Sequence, residues 1–136
     1  MSLLGLAPTY RWTVLNSCGQ TLAANASKVH QRRSKMTSAN ALSYESAVDT
    51  VTINTGTLAN ATYASLASAE SNTTDLFQGG DFIFEVTAPA SANGNVSLFY
   101  ELSTDGGTTW PSNGLGALVA VLNFTTSGQK FASFEL

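Results

Sequence analysis

The stretch DFIFEVTAPASANGNVSLFYELS, residues Asp81–Ser103, decides the fold class. It holds two runs rich in β-branched and aromatic residues, Asp81–Thr87 and Asn95–Ser103. Apolar and polar residues alternate in both runs, a period of two that is typical of half-buried β-strands. Asn93 and Gly94 between them are residues that form tight turns. The stretch therefore predicts two antiparallel strands joined as a hairpin.

The same alternation predicts which side chains enter the core. Each run places its large apolar residues on one face. These residues are Phe82, Phe84 and Val86 in the first run, and Val96, Leu98, Tyr100 and Leu102 in the second. We expect the opposite face of the second run, with Ser97, Glu101 and Ser103, to meet solvent.

Two more strands are predicted towards the C-terminus, at Ala117–Phe124 and Lys130–Leu136. The segment Thr126–Gln129 between them contains Ser127 and Gly128 and predicts a second hairpin. The run Ala117–Phe124 is apolar on both faces. It is therefore either a central strand or a strand covered by a neighbouring element.

The N-terminal half is less regular. Tyr10–Asn16 and Val48–Ile53 are predicted strands because of their Thr, Val and aromatic content. A third strand is expected to begin at Ala61 or Thr62 and to end at Leu66.

Two segments leave alternatives open. Lys28–Met36 is either a strand or a single helical turn. The alanine content of Ala59–Ala69 leaves a short helix as an alternative there.

These elements predict an all-β chain, an antiparallel β-sandwich or a jelly-roll-like barrel with an extended N-terminal arm. We assign residues 1–9 to the arm and residues 10–136 to a single β-sandwich domain. The leucines of the arm, Leu3, Leu4 and Leu6, either cover their own sandwich or lie on a neighbouring subunit. In the second case they are assembly contacts.

The composition narrows the classes of function. Charged residues make up 11% of the 136 residues, against about 25% in typical soluble domains. A weakly charged surface is easy to desolvate, which suits a subunit that packs against neighbours. The net charge of -3 disfavours direct nucleic-acid binding, which needs surplus Lys and Arg.

Other classes are disfavoured by missing features. Cys18 is the single cysteine, so no intrachain disulfide or thiolate metal site is expected, and we expect no cofactor. The N-terminus lacks the features of a signal peptide. No stretch approaches the roughly 20 apolar residues of a membrane span, so no membrane partner is expected.

One short motif stands out between residues 103 and 110. It matches the Asp-box pattern at five positions, which are Ser103, Asp105, Gly107, Thr109 and Trp110. The motif resembles the turns of sialidase propellers, and the resemblance implies a β-hairpin turn. Asp105 would bond turn amides, Gly107 would take a positive φ, and Trp110 would pack beneath. A propeller needs several blades, whereas this chain has one copy, so we expect a structural turn.

A wider resemblance covers Asp81–Leu136. A strand, an Asn-Gly turn, a second strand ending in the Asp-box and a Gly-rich loop before another strand resemble small virion proteins of tailed bacteriophages. The resemblance implies a non-enzymatic structural subunit, used in capsid decoration or cement, neck, tail or fibre. Its expected partners are copies of itself and other virion proteins. Its expected location is the virion, after synthesis in the host cytoplasm.

The basic cluster His30–Lys35 is a further candidate contact, through Arg32 and Arg33. It would touch an acidic patch on a neighbouring subunit or packaged DNA. The competing interpretation is a solvated strand face.

No catalytic site is expected. One His and one Cys allow only a pairing of Cys18 with His30, for which a buried thiol and a surface imidazole are the simpler explanation. Glu85 and Glu101 could form a glycosidase pair, but they are expected to be solvated residues on adjacent strands.

The alternative function is a carbohydrate-binding β-sandwich module. Glycan binding would use aromatic faces as a stacking platform, and the candidates are Tyr10, Trp12, Tyr100 and Trp110. Core and interface packing is the competing interpretation for these rings.

Overall fold

The computed structural model describes residues 6–65, 69–110 and 116–136, and these residues form an all-β sandwich without a helix. Two antiparallel sheets of five strands each pack face to face, which confirms the predicted fold class. Leu3 and Leu4 of the arm lie outside the described residues. The strands are β1 (Thr9–Ser17), β2 (Ser27–Met36), β3 (Leu42–Tyr44), β4 (Asp49–Thr52), β5 (Thr62–Ser65), β6 (Glu70–Ser71), β7 (Gly79–Ala88), β8 (Gly94–Leu102), β9 (Ala117–Phe124) and β10 (Gly128–Glu135).

The first sheet has the order β5, β1, β8, β9, and β6 also pairs with β1. The second sheet has the order β10, β7, β2, β3, and β4 also pairs with β2. The long strands β1, β8, β2 and β7 occupy the centres. At one edge of the first sheet the short strands β5 and β6 both pair with β1, and at one edge of the second sheet β3 and β4 both pair with β2. Each stretch of unpaired edge backbone is therefore short.

Both predicted hairpins are wrong, because their strands belong to different sheets. The turn at Asn93 carries the chain from β7 in the second sheet to β8 in the first, and residues 125–127 carry it from β9 back to β10. The Asn93 amide donates to the Cys18 carbonyl at 2.8 Å, so this turn is bonded to the end of β1. Turn residues predict a reversal of direction, but they do not predict which sheet receives the next strand.

The predicted core is largely confirmed. Phe82, Phe84 and Val86 of β7 and three residues of β8 are buried: Val96, Leu98 and Tyr100. Trp12 of β1 lies at the centre and makes ring contacts with Tyr10, Phe82, Tyr100 and Phe134 at centroid distances of 5.4–5.7 Å.

Part of the predicted alternation in β8 is wrong. Leu102, the last residue of the strand, is 45% exposed. Ser97, Glu101 and Ser103 were expected to meet solvent, yet all three are buried. Glu101 pairs with Arg11 of β1, and the Ser103 hydroxyl is bonded within the turn to Asp105 and Gly107. The pattern of a single strand does not contain these contacts.

The N-terminal predictions have mixed outcomes. Strands do form close to the predicted positions, as β1, β4 and β5, and Lys28–Met36 lies in strand β2 rather than in a helical turn. The helical alternative for Ala59–Ala69 is wrong in its described part. The predicted end of that strand at Leu66 lies outside the described residues.

The run Ala117–Phe124 is neither central nor covered on both faces. It forms β9, an edge strand that pairs with β8 alone among the described strands. Its outward residues Leu118 and Val121 are exposed. Burial within the described part of the chain therefore explains the inner face of β9, where Leu122 and Phe124 are buried, but not the outer face.

The C-terminal end of the arm, residues 6–8, is bonded to the sandwich. The Leu6 amide donates to the Gln78 carbonyl at 3.2 Å, and the Ala7 amide donates to the Tyr100 hydroxyl at 2.7 Å. Leu6 packs against the core of its own chain. Residues 6–8 are thus bonded to the domain.

Candidate interaction surface

Charged residues are distributed unevenly between the two sheets. Within the described strands, the first sheet carries Arg11, Glu70 and Glu101. The strands of the second sheet carry the other charged residues of the described strands, which are Lys28, Arg32, Arg33, Lys35, Asp49, Asp81, Glu85, Lys130 and Glu135. The outer faces of the two sheets therefore differ in chemistry.

The outer face of the first sheet is built from four strands. Strand alternation turns Trp12 and Val14 inward, so Thr13 and Leu15 point outward, and the register carries that alternation across the sheet. Two rows cross it, Tyr63–Leu15–Ser97–Val121 and Ser65–Thr13–Phe99–Leu118. We call these eight residues the uncharged face.

Several apolar side chains of the uncharged face reach solvent. Tyr63 is 51% exposed and Leu118 is 55% exposed, and Val121 is also exposed. Leu15 and Phe99 are half-buried between them. Adjacent apolar side chains of this kind form a patch, and such patches mark interaction sites more often than scattered single residues do.

An ion pair lies at one end of the uncharged face. Arg11 and Glu101 are opposite each other on β1 and β8, and Arg11 Nε lies 2.8 Å from Glu101 Oε2. Their side chains are only 17% and 1% exposed. The Arg11 guanidinium also lies over the Trp110 ring, 4.2 Å from its centroid. These two charges are therefore paired and already largely withdrawn from water.

The Asp-box turn positions Trp110 at that end. The Asp105 carboxylate accepts hydrogen bonds from the Thr109 amide at 2.8 Å and the Thr108 amide at 3.1 Å, and from the Ser103 hydroxyl at 2.8 Å. Bonds from Thr109, and also from Ser103 and Thr108, lower the pKa of Asp105 to about 2. Asp105 thus bonds amides of the turn, as the motif implied for that residue.

Gly107 of the same turn adopts a φ of 93°, in the region that favours glycine. Its amide donates to the Ser103 hydroxyl at 2.9 Å. The Ser103 amide in turn donates to the Thr9 carbonyl at 2.9 Å, which ties the turn to β1.

The basic cluster is divided between two surfaces. Because successive residues of β2 point to opposite faces, Arg33 points away from the outer face and pairs with Glu45, with Nη2 and Oε1 2.6 Å apart. Arg32 lies on the outer face of the second sheet, with Lys28 and His30. The two arginines proposed as assembly contacts therefore do not share one surface.

The Cys18–His30 and Glu85–Glu101 pairs, which the sequence made the candidates for a catalytic site, have other surroundings. Cys18 is fully buried, while the ring nitrogens of His30 contact Thr50 Oγ1 at 2.8 Å and Glu85 Oε2 at 2.5 Å. Glu85 and Glu101 lie on different sheets rather than on adjacent strands. Both are also buried, so the prediction of solvated carboxylates is wrong.

Three of the four aromatic residues proposed as a stacking platform are in the core. Tyr10, Trp12 and Tyr100 are buried. Trp110 is partly exposed, beside Arg11. Tyr63 is an exposed aromatic side chain on the outer face of the first sheet, and sequence analysis missed it.

Sequence analysis also missed the uncharged face as a whole. Its residues come from four segments that are distant in the chain. A signal was present, since Ala117–Phe124 is apolar on both faces and the strands around Leu15 and Phe99 carry few charges. These segments can be recognised as one surface only when the strand order is known.

The leucine arm gives a smaller candidate site. Leu6 lines a cleft of about 460 Å³ together with Pro8, Leu76, Phe77 and Leu102. Leu76 and Leu102 are exposed. The cleft therefore lies at the described end of the arm, where Leu6 and Pro8 line it.

The described residues contain neither a metal-binding cluster nor a membrane-spanning helix. In residues 6–65, 69–110 and 116–136 no group of three or more His, Cys, Asp or Glu side chains is arranged to hold a metal ion. No helix in those ranges is long and apolar enough to cross a membrane.

Comparison of the chain with protein-family models, curated proteins and solved structures finds no match.

Proposed function

We propose that the chain is a non-enzymatic structural subunit of a phage virion that acts through subunit–subunit contacts. Its partners are copies of itself and other virion proteins, and its location is the virion after synthesis in the host cytoplasm. A capsid decoration or cement, neck, tail or fibre component fits this role. The resemblance of Asp81–Leu136 to small virion proteins supports the class of particle.

The uncharged face is the observation that carries the proposal. Burying apolar area contributes about 25 cal/mol per Å² before ordering costs, whereas burying unpaired charges opposes association. This face offers exposed Tyr63, Leu118 and Val121, and its end pair Arg11 and Glu101 is already shielded. It can therefore enter a contact at a lower desolvation cost than the outer face of the second sheet, which carries Lys28 and Arg32.

The experiment is light scattering of the purified chain over a range of concentration and salt. We expect a defined oligomer that persists at high salt, because apolar contacts are not screened. Leu118→Lys is expected to raise its dissociation constant by about tenfold, equivalent to about 1.4 kcal/mol.

Phe131→Lys is the matched control. Phe131 is 57% exposed and Leu118 is 55% exposed, and each lies on an edge strand of eight residues. Phe131 lies opposite Glu85 on the charged second sheet. Equal losses of association in the two variants, or a chain that stays monomeric throughout, would count against the proposal.

Tyr63 favours a second candidate function, the carbohydrate-binding module. It is an exposed aromatic ring with Ser65 nearby on the same face, and rings bordered by hydroxyl groups suit sugar binding. A glycan screen of the chain and of Tyr63→Ala tests it. Glycan binding that disappears in Tyr63→Ala, with association unchanged in Leu118→Lys, would favour this candidate.

A further inference from the structure

We infer that Glu70 of β6 and Asp49 of β4, which share the side-chain amide of Gln31, form a proton-operated clasp between the two sheets. Protonation of Glu70 closes the clasp, and its ionisation loosens the pairing of β6 with β1. Strand β6 belongs to the first sheet, whereas β4 and Gln31 belong to the second. The inference does not depend on the proposed function, because it concerns a joint within one chain.

Gln31 is held in one orientation at the centre of the clasp. It is fully buried, and its Oε1 atom accepts hydrogen bonds from the Tyr10 hydroxyl at 3.3 Å and from Trp12 Nε1 at 3.4 Å. Burial raises the pKa of Tyr10, so its hydroxyl is a neutral donor. The Trp12 nitrogen can only donate, so the oxygen of Gln31 must face it. The amide nitrogen of Gln31 therefore points away from the aromatic rings and towards the carboxylates.

The two carboxylates converge on that nitrogen. Gln31 Nε2 donates to Asp49 Oδ2 and to Glu70 Oε2, both at 3.1 Å, so these two oxygen atoms lie within about 6 Å of each other. Like charges at this separation oppose the ionisation of both groups. A proton on one carboxyl group removes the repulsion and supplies a further hydrogen-bond donor. The clasp is therefore tighter when Glu70 is protonated.

The charged groups that face Glu70 do not compensate its negative charge. Burial raises the pKa of Glu70. The hydrogen bond from Gln31 and the charge of Arg33 act in the opposite direction, but the charges of Asp49 and Glu45 add to the increase. Arg33 is already paired, since its Nη2 atom lies 2.6 Å from Glu45 Oε1. Ionised Glu70 is therefore more stable in water than in the closed clasp.

Strand β6 is an element that can open by itself. It spans only Glu70–Ser71 and, among the described strands, pairs with β1 alone. The next residue, Asn72, is buried and donates its backbone amide to the Pro8 carbonyl at 2.7 Å. Its side-chain amide also donates to the Ala7 carbonyl at 3.5 Å. Short elements of this kind open at a lower free-energy cost than a whole domain, and opening of β6 also loosens residues 6–8 of the arm.

The test is hydrogen exchange of the full chain, followed by NMR at pH values from 4 to 7.5. The reporter is the backbone amide of Asn72, and the amides of the central strand β7 are the reference for opening of the whole fold. Protection factors are compared, because they correct for the intrinsic pH dependence of exchange. We expect Asn72 to be less protected than β7 throughout, and its protection factor to fall by about threefold or more as the pH rises.

Two variants assign the effect to the clasp. Glu70→Gln still accepts the hydrogen bond of Gln31 but cannot ionise, so the protection of Asn72 should no longer depend on pH. Asp49→Asn removes the charge that faces Glu70, so the fall should be smaller than in the wild type. Glu135→Gln is the control, because Glu135 is an exposed carboxylate on β10, at the opposite edge of the second sheet. It should show the full wild-type fall.

Three outcomes would overturn the inference. The first is protection of Asn72 equal to that of β7, which would mean that β6 opens only with the whole fold. The second is a wild-type protection factor that does not change with pH. The third is a fall of the same size in Glu70→Gln, which would place the responsible proton on another group.

Discussion

Arg11 and Glu101 form an ion pair on the outer side of a sheet, yet both side chains are nearly removed from water. Arg11 Nε lies 2.8 Å from Glu101 Oε2, and the Trp110 ring covers the guanidinium. The Asp-box turn supplies that ring. A short sequence motif therefore shields the charged end of an otherwise uncharged surface.

The first prediction concerns this ion pair. Arg11→Leu leaves the buried carboxylate of Glu101 without its cation, so we expect a loss of about 2–4 kcal/mol in the free energy of unfolding, measured with urea. Lys35→Leu is the control, because Lys35 and Asp75 are exposed and 3.8 Å apart. It should cost less than about 1 kcal/mol. Similar losses in the two variants would show that burial of the pair is unimportant.

The second prediction concerns the Asp-box turn. Because hydrogen bonds lower the pKa of Asp105 to about 2, its carboxylate stabilises the fold above its unfolded pKa of about 4, and this contribution is lost as the pH falls towards 2. Asp105→Ala should therefore unfold at lower urea than the wild type at pH 6, with the difference shrinking between pH 4 and 2. Asp75→Ala, at an exposed carboxylate outside the turn, is the control. A difference that is constant with pH would contradict the assignment.

The third prediction concerns Glu70. Gln31 Nε2 donates to Glu70 Oε2 and to Asp49 Oδ2, both at 3.1 Å. Burial raises the pKa of Glu70, so protonated Glu70 favours the fold below the unfolded pKa, and this contribution is lost as the pH rises through the folded pKa. Glu70→Gln should therefore be more stable than the wild type at pH 7.5.

The gain in Glu70→Gln should vanish at low pH, where the wild-type carboxyl is protonated as well. Thermal unfolding at a series of pH values measures it. A gain of the same size at pH 3.5 would point to a packing effect instead.

The fourth prediction concerns Gly94, at one of the two connections where the chain changes sheets. Gly94 has a φ of 148°, and a Cβ there would collide with the Ser17 carbonyl oxygen. Gly128 has a φ of 144° and no atom within 4 Å of such a Cβ. Gly94→Ala should therefore lose about 2 kcal/mol more than Gly128→Ala in urea unfolding. Equal losses would mean that backbone conformation alone sets the cost.

The fifth prediction concerns the arm. Deleting residues 1–5 retains the bonds of Leu6 to Gln78 and of Ala7 to Tyr100, so we expect the thermal midpoint to be unchanged. Association measured by light scattering should weaken if Leu3 and Leu4 contact a neighbour. Deletion through Pro8 removes those bonds and should lower the thermal midpoint. Unchanged association after the shorter deletion would count against the arm as a contact.

Sequence reasoning succeeded where the determining interaction is local. The alternation of Phe82, Phe84 and Val86 follows from the two-residue period of any strand, so it predicted the core face of β7 correctly. The spacing of Ser103, Asp105 and Gly107 implied a turn whose hydrogen bonds lie within a few residues. Neither result required knowledge of the strand order.

The same reasoning failed where partners are distant in the chain. Glu101 was expected in solvent, but Arg11, 90 residues away, pairs with it. The connection at Gly94 was expected to be a hairpin, but β7 and β8 enter different sheets. The pairing of strands depends on which apolar faces bury each other, and the local alternation of apolar residues is compatible with more than one strand order.

By itself, the sequence predicted the all-β class, the core face of β7, the bonds of the Asp-box turn and the scarcity of charge. The tertiary structure alone decided that Leu15, Tyr63, Phe99 and Leu118 form one surface. The physical reason is that alternation arises from backbone geometry within a strand, whereas a surface arises from the order of the strands. That order is selected by burial of the opposite faces around Trp12, so the uncharged face follows from how the core packs.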